Sequence, residues 1–156
     1  MRIYFAGAIC GGRENLAIYQ HIVSRLESLG HSVTTSHVAD PLVLEREGSL
    51  DDQAVYERDV TWIRESHAMV AEVSTPSLGV GYEVCCALSQ AKPVLCLYRK
   101  GLVISKMITG NTSPLIHIAV FGDDAELDHL LDAFLAGVQQ PKPRRRHEVQ
   151  GWRGDF

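Results

Sequence analysis

The chain has 156 residues, 46% hydrophobic and 22% charged, a balance that fits one globular domain and excludes the disordered and fibrous classes. A formal charge of −4 supplies no overall field for a polyanion, which excludes long nucleic acid as the main partner while leaving local capture of a small phosphate open. Cys10, Cys85, Cys86 and Cys96 lack paired C-x-x-C spacing and no segment approaches the ~18 apolar residues of a membrane span, so zinc, disulfides and a membrane are not expected and a reducing, cytosolic setting is.

Arg2–Ala6 reads as a strand that enters the turn Gly7–Gly12. Leu16, Tyr19, Ile22, Val23, Leu26 and Leu29 then recur at helical spacing until Gly30 stops the helix. His31–Thr35 predicts a second strand, and the polar run Ser36–Ser49 reads as loop. Asp51 and Asp52 begin a helix whose apolar face is Val55, Trp62 and Ile63. Ala68–Val73 is apolar on both faces, a third strand, followed by the loop Ser74–Val80 and a helix over Tyr82–Gln90. Pro93–Leu97 and Ile116–Phe121 complete the strands, and a helix over Asp124–Leu135 closes the domain at residue 136. Strands alternating with helices predict an α/β fold with a single doubly wound, five-stranded parallel sheet, flavodoxin- or Rossmann-like, in the order 2-1-3-4-5. Residues 137–156 carry prolines and three consecutive arginines without periodicity and read as an extended, solvated tail, with a nuclear-import or anionic-partner patch as the alternative.

In such a sheet ligands sit beyond the carboxyl ends of the strands, which gathers Gly7–Arg13, Ser74–Gly81 and Arg99–Ser105 around one crevice. The first loop, AGAICGGR, joins glycines to a helix start and favours an anion, although tight packing alone also explains such a turn. The second, STPSLGVGYE, places two hydroxyls and two glycines before Glu83. Read as lying in the first turn of a helix, Glu83 has a bland explanation in complementing the helix dipole. Asp59 lies four residues from both Val55 and Ile63, on the face expected to be buried, where a carboxylate needs partners or a shifted pKa. Two such acids at one crevice suit nucleophile-plus-acid chemistry at an anomeric carbon. Tyr4 on the first strand and His37 after the second have packing and solvated-loop readings of their own.

Taken together, IYFAGAICGGRE, HIVSRLESLG, TSHVAD, ERDVTWI, VAEVSTPSLGVGYE and VISKMITG resemble the 2′-deoxynucleoside 5′-phosphate N-hydrolases, a branch of the nucleoside 2-deoxyribosyltransferase superfamily. The resemblance implies Glu83 as a nucleophile toward C1′, Asp59 as the residue that orients the nucleoside and protonates the departing base, and Tyr4 as a hydrogen-bond partner beside the nucleophile. It implies that Ser77 and Ser105 bind the 5′-phosphate with Gly7, Ile9, Gly11, Gly12, Arg13 and Gly79 of the glycine loops, and that His37 contacts substrate. No metal or cofactor is implied. A homodimer is, with Ser105 contributed across its interface. The transferase branch carries an acid at the position of Ser77, and a hydroxyl there admits the phosphate that a carboxylate would repel. Ala8 and Cys10 stand where close members of the branch carry Ser and Arg. Base exchange by transfer, and a nucleotide-binding module without turnover, are the alternatives to hydrolysis.

Overall fold

A computed structural model describes residues 1–10 and 12–139 of the chain. Five strands, β1 (Arg2–Ala6), β2 (Ser32–Val33), β3 (Ala68–Glu72), β4 (Val94–Arg99) and β5 (Ile116–Phe121), form one all-parallel sheet in the order β2-β1-β3-β4-β5, as the alternation of elements predicts. Each parallel neighbour needs a crossover, and the helices that supply them cover both faces. Ile3 and Phe5 point to the side covered by α1 (Leu16–Ser28) and α6 (Asp124–Gln139), where they pack with Tyr19, Ile22, Leu127 and Leu131. Tyr4 and Ala6 point to the other side, toward Ile63 of α3 (Asp52–Glu65) and Val80 and Val84 of α4 (Leu78–Ser89). This strand alternation sends Tyr4 into the layer that holds Glu83 and Asp59.

Several expected boundaries move. The second strand is only Ser32–Val33, because Thr35 turns its hydroxyl to donate to the carbonyl of Phe5 and to accept from its N–H instead of continuing the ladder. The run Ser36–Ser49 is not simply loop: it holds a 3-10 turn over Ser36–Ala39 and a short α2 (Val43–Glu47), with Val38, Ala39 and Val43 buried. A second short helix, α5 (Lys106–Thr109), was not expected and begins at Ser105. On α3 only Ile63 of the predicted apolar face is fully buried, Val55 and Trp62 being half-buried beside the crevice. The closing helix continues past Leu135 to Gln139, and the basic run expected in the tail lies outside the described residues.

The largest correction concerns α4, which begins at Leu78 and not Tyr82. Gly79 and Gly81 read as loop in the sequence, yet Ser77 caps the helix by accepting from the Val80 N–H at 3.3 Å, and the glycines are carried in its first turns. Glu83 therefore sits beyond the first turn, and complementing the helix dipole no longer explains it.

Candidate active site

At the centre of the site the buried Tyr4 hydroxyl donates to Glu83 Oε1 at 2.6 Å. Burial pushes the Glu83 carboxyl up to about 7, helped by the negative charges of Asp59 and Glu47 and opposed by the donation from Tyr4 and the charge of Arg58. Burial and the adjacent Glu83 push the Tyr4 phenol above its ordinary range, so it remains a proton donor. Among the described residues the second Glu83 oxygen has no hydrogen-bond partner.

Asp59, on α3, lies near both Tyr4 and Glu83 with its side chain 22% exposed. Its Oδ1 accepts from Arg58 Nε at 2.9 Å, and Arg58 Nη2 reaches Glu47 Oε1 at 2.6 Å. His37 Nε2 lies 3.2 Å from that same Glu47 oxygen, and burial together with Arg58 lowers the His37 pKa, keeping the ring neutral near neutral pH. The Trp62 ring lies beneath the Arg58 guanidinium at 4.9 Å and beside His37 at 5.6 Å. The structure thus brings Tyr4, Glu83, Asp59 and His37 together. Arg58 and Glu47 are the members that sequence reasoning missed: Glu47 lay in a segment read as loop, and only the charge sequence Glu57-Arg58-Asp59 signalled the first.

The glycine turn is engaged otherwise than expected. A Cβ on Gly7 would come within 3.0 Å of the Tyr19 ring, so this glycine permits a close packing contact. The N–H of Ala8 is already donated to the Tyr19 hydroxyl at 3.1 Å, while Ile9 packs against the α1–α6 core. Gly12 holds a φ of +126°, a conformation open to glycine, and Gly11 lies outside the described residues. Arg13 does not join the acids: its Nη2 donates to the carbonyls of Val38 and Asp40, both at 2.9 Å, tying the turn to the 3-10 segment.

Glu72, at the end of β3, went unnoticed in the sequence because it ends an apolar strand. It is fully buried and accepts from both the N–H and the hydroxyl of Ser74, with Asn15 Nδ2 at 3.5 Å. Asn15 also donates to Thr75 at 3.0 Å, and Ser74 Oγ accepts from the Arg99 N–H at 2.9 Å. One carboxyl, raised by burial, thereby ties together the three loops at the carboxyl end of the sheet.

Ser77 and Ser105 line a separate cleft of about 910 Å³ with Val80, Cys85, Met107 and Ile108. Tyr4, Glu83 and Asp59 are not in its wall, so the start of α4 stands between two groups of expected site residues. Both serines cap helices, Ser105 accepting from the Met107 N–H at 3.3 Å, and the exposed Gly79 lies in the first turn that Ser77 caps. The rim is apolar and open: Leu78 is 97% and Met107 83% exposed, and Val103, next to the lining residue Ile104, is 97% exposed. Among the described residues no three His, Cys, Asp or Glu side chains are grouped to hold a metal ion.

The family model described as nucleoside 2-deoxyribosyltransferase matches residues 3–127. A 5-hydroxymethyl-dUMP N-hydrolase of Danio rerio is 43% identical over 138 residues, covering 86% of this chain and 95% of that protein. The protein of the same name from Mus musculus is 50% identical over 112 residues, 69% of this chain and 64% of its own length. Among solved structures, a CMP N-glycosidase of Clostridium botulinum superposes with a TM-score of 0.65 over 86% of this chain and 99% of its own, at 19% identity, a likeness of fold. With the match spanning all five strands and both acids, the chain belongs to the nucleoside 2-deoxyribosyltransferase family.

Proposed function

We propose that this protein hydrolyses the N-glycosidic bond of 2′-deoxynucleoside 5′-monophosphates, giving free base and 2-deoxyribose 5-phosphate through an ester on Glu83. The observation that carries the reading is the Tyr4–Glu83 hydrogen bond of 2.6 Å, with Asp59 close enough for its charge to raise the Glu83 carboxyl. The names of the relatives, N-hydrolases of a deoxynucleoside monophosphate, support the substrate class.

The first step needs Glu83 ionised and Asp59 carrying a proton taken up from water: the Glu83 oxygen not held by Tyr4 attacks C1′ as the C1′–N bond breaks, and the departing nitrogen takes that proton from Asp59 Oδ2, left open by the Arg58 contact to Oδ1. In the second, water adds to C1′, returns a proton to Asp59 and releases Glu83. A 2-deoxy sugar lacks the electron-withdrawing hydroxyl that destabilises an oxocarbenium-like transition state, so a carboxylate on one side and a proton donor on the other divide the barrier. His37 and Trp62 offer aromatic faces for the base. Ser77, which caps the helix that carries Glu83, accepts a backbone N–H but keeps its own proton, a donor for the phosphate of a nucleotide that reaches across the start of α4.

The deciding experiment is a panel of deoxynucleoside and ribonucleoside monophosphates assayed for base and sugar phosphate, with excess adenine added in parallel. Base release from the deoxynucleotides alone is expected. A new adenine nucleotide as the main product would show transfer instead. Because Glu83 must be ionised, kcat/KM should rise with pH through about 7, and a flat profile between pH 5 and 8 would remove Glu83 from the rate-limiting chemistry.

The exposed apolar rim beside Ser105 suits the seam of a two-fold homodimer in which each Ser105 reaches the other subunit's phosphate. Val103→Asp, at a position 97% exposed, should yield a folded monomer with a raised KM for nucleotides; an unchanged dimer would move the seam elsewhere. At the other end, Cys10 is exposed on the glycine turn, and Cys10→Arg, alone or with Ala8→Ser, should lower KM for monophosphates about tenfold through a charge-assisted contact. An equal effect on unphosphorylated nucleosides would detach this turn from the phosphate.

The protein is expected to work in the cytosol, with entry to the nucleus as a second location; imaging of the tagged full chain checks both.

A further inference from the structure

Of the linked side chains around the site, Arg58 and Glu47 have no step in the chemistry above. Arg58 divides its guanidinium between two carboxylates, Nε to Asp59 at 2.9 Å and Nη2 to Glu47 at 2.6 Å, with its plane lying over Trp62. Arg58 and Asp59 side chains are each 22% exposed and that of Glu47 is 20% exposed, so water competes weakly for these contacts. Glu47 is the last residue of α2, a helix of five residues whose single buried side chain is Val43. A helix that short does not hold itself, and its place depends on tertiary anchors. Arg58 holds its last residue from α3, and the same Glu47 oxygen receives His37 of the preceding 3-10 turn, whose far end Arg13 holds through the carbonyls of Val38 and Asp40.

We propose that Arg58 is a positioning residue that couples the seating of segment 36–47 to the aim of the Asp59 carboxyl, so that proton delivery to the leaving base depends on Glu47 through Arg58. The inference rests on the N-glycosidase reading. A planar fork can serve two carboxylates at a fixed angle, and the two neighbours define where its arms point. Rotation of Asp59 about its side-chain torsions is then limited by Arg58, and Arg58 by Glu47. A base bound against the His37 face presses on the segment that carries this chain and meets the acid already aimed. Misplacing a catalytic group by about 1 Å costs roughly a hundredfold in rate, which sets the scale of the effect.

The test is kinetic, on the full chain, with Arg58→Lys, Glu47→Gln and the double variant, each first checked for wild-type-like melting. Lysine keeps the charge but cannot bridge both partners. Each single variant should lower kcat about ten- to a hundredfold on a monophosphate that the wild type hydrolyses, with KM changed less than about threefold. The double variant should be no slower than the worse single one, because both break the same chain. The distinguishing comparison is a nucleotide with the same sugar phosphate but a base that leaves without protonation, such as an N7-methylated purine or a 5-fluorinated pyrimidine. On it the loss should shrink to a few-fold, since aiming an acid no longer matters. Equal losses on both substrates would make Arg58 and Glu47 merely structural and overturn the proposal, as would wild-type kcat in both single variants. Absence of base release by the wild type would instead overturn the N-glycosidase reading itself.

Discussion

Glu83→Gln is expected to lower kcat for base release by at least ~10³-fold while nucleotide affinity stays within about threefold of the parent. The amide preserves shape and still accepts from Tyr4, whose hydroxyl sits 2.6 Å from Glu83 Oε1, so the pocket should remain assembled. What is lost is the anionic oxygen that forms the bond to C1′. In the proposed reading the contacts to base and phosphate come from other residues, so binding measured by calorimetry should survive. A variant that retains more than about a tenth of parent turnover would remove Glu83 as nucleophile. Loss of both turnover and binding would say instead that Glu83 holds the pocket together.

The same substitution is expected to stabilise the fold above neutral pH. Glu83 has its carboxyl raised from 4.5 to about 7, chiefly by burial. Between those two values the folded protein keeps a proton that the unfolded chain has released, so stability falls as pH rises across the window and the full penalty is present above about 7. A shift of that size corresponds to about 3 kcal/mol, and Gln, which has no proton to lose, escapes it. Glu83→Gln should therefore melt roughly 6–12 °C higher than the parent at pH 8, with little difference at pH 4.5. A gain independent of pH would place the stabilisation somewhere other than in ionisation. This is the physical form of a stability–activity conflict: the burial that makes the carboxylate reactive also makes its charge costly.

How much of this was legible in the sequence depends on whether a residue's role is local or assembled. The parallel sheet and its order were readable because Ile3, Phe5, Val70 and Leu95 sit in apolar runs separated by helical periods, and both faces of such strands must be covered. Asp59 stood out because an acid at helical spacing from Val55 and Ile63 breaks the pattern of a buried face, and the structure places it near Glu83. Glu83 was singled out by the resemblance alone, and its bland local reading was mistaken: the glycines hid the Ser77 cap, and α4 begins a turn sooner than its composition suggests. Arg58 and Glu47 were not legible, since they lie eleven positions apart on two different helices and no periodicity relates them. Glu72 was hidden for the opposite reason, being the terminal residue of a strand whose other members are all apolar and buried. Its partners Ser74 and Asn15 come from separate loops that only the folded sheet brings together.

The stereochemical course of the reaction tests the covalent role of Glu83 most directly. With methanol present as a competing nucleophile, a route through an ester on Glu83 involves two displacements at C1′, so the methyl 2-deoxyriboside 5-phosphate formed should keep the β configuration of the substrate, read from its anomeric proton by NMR. An inverted, α-configured product would show a single displacement by solvent and would contradict the account.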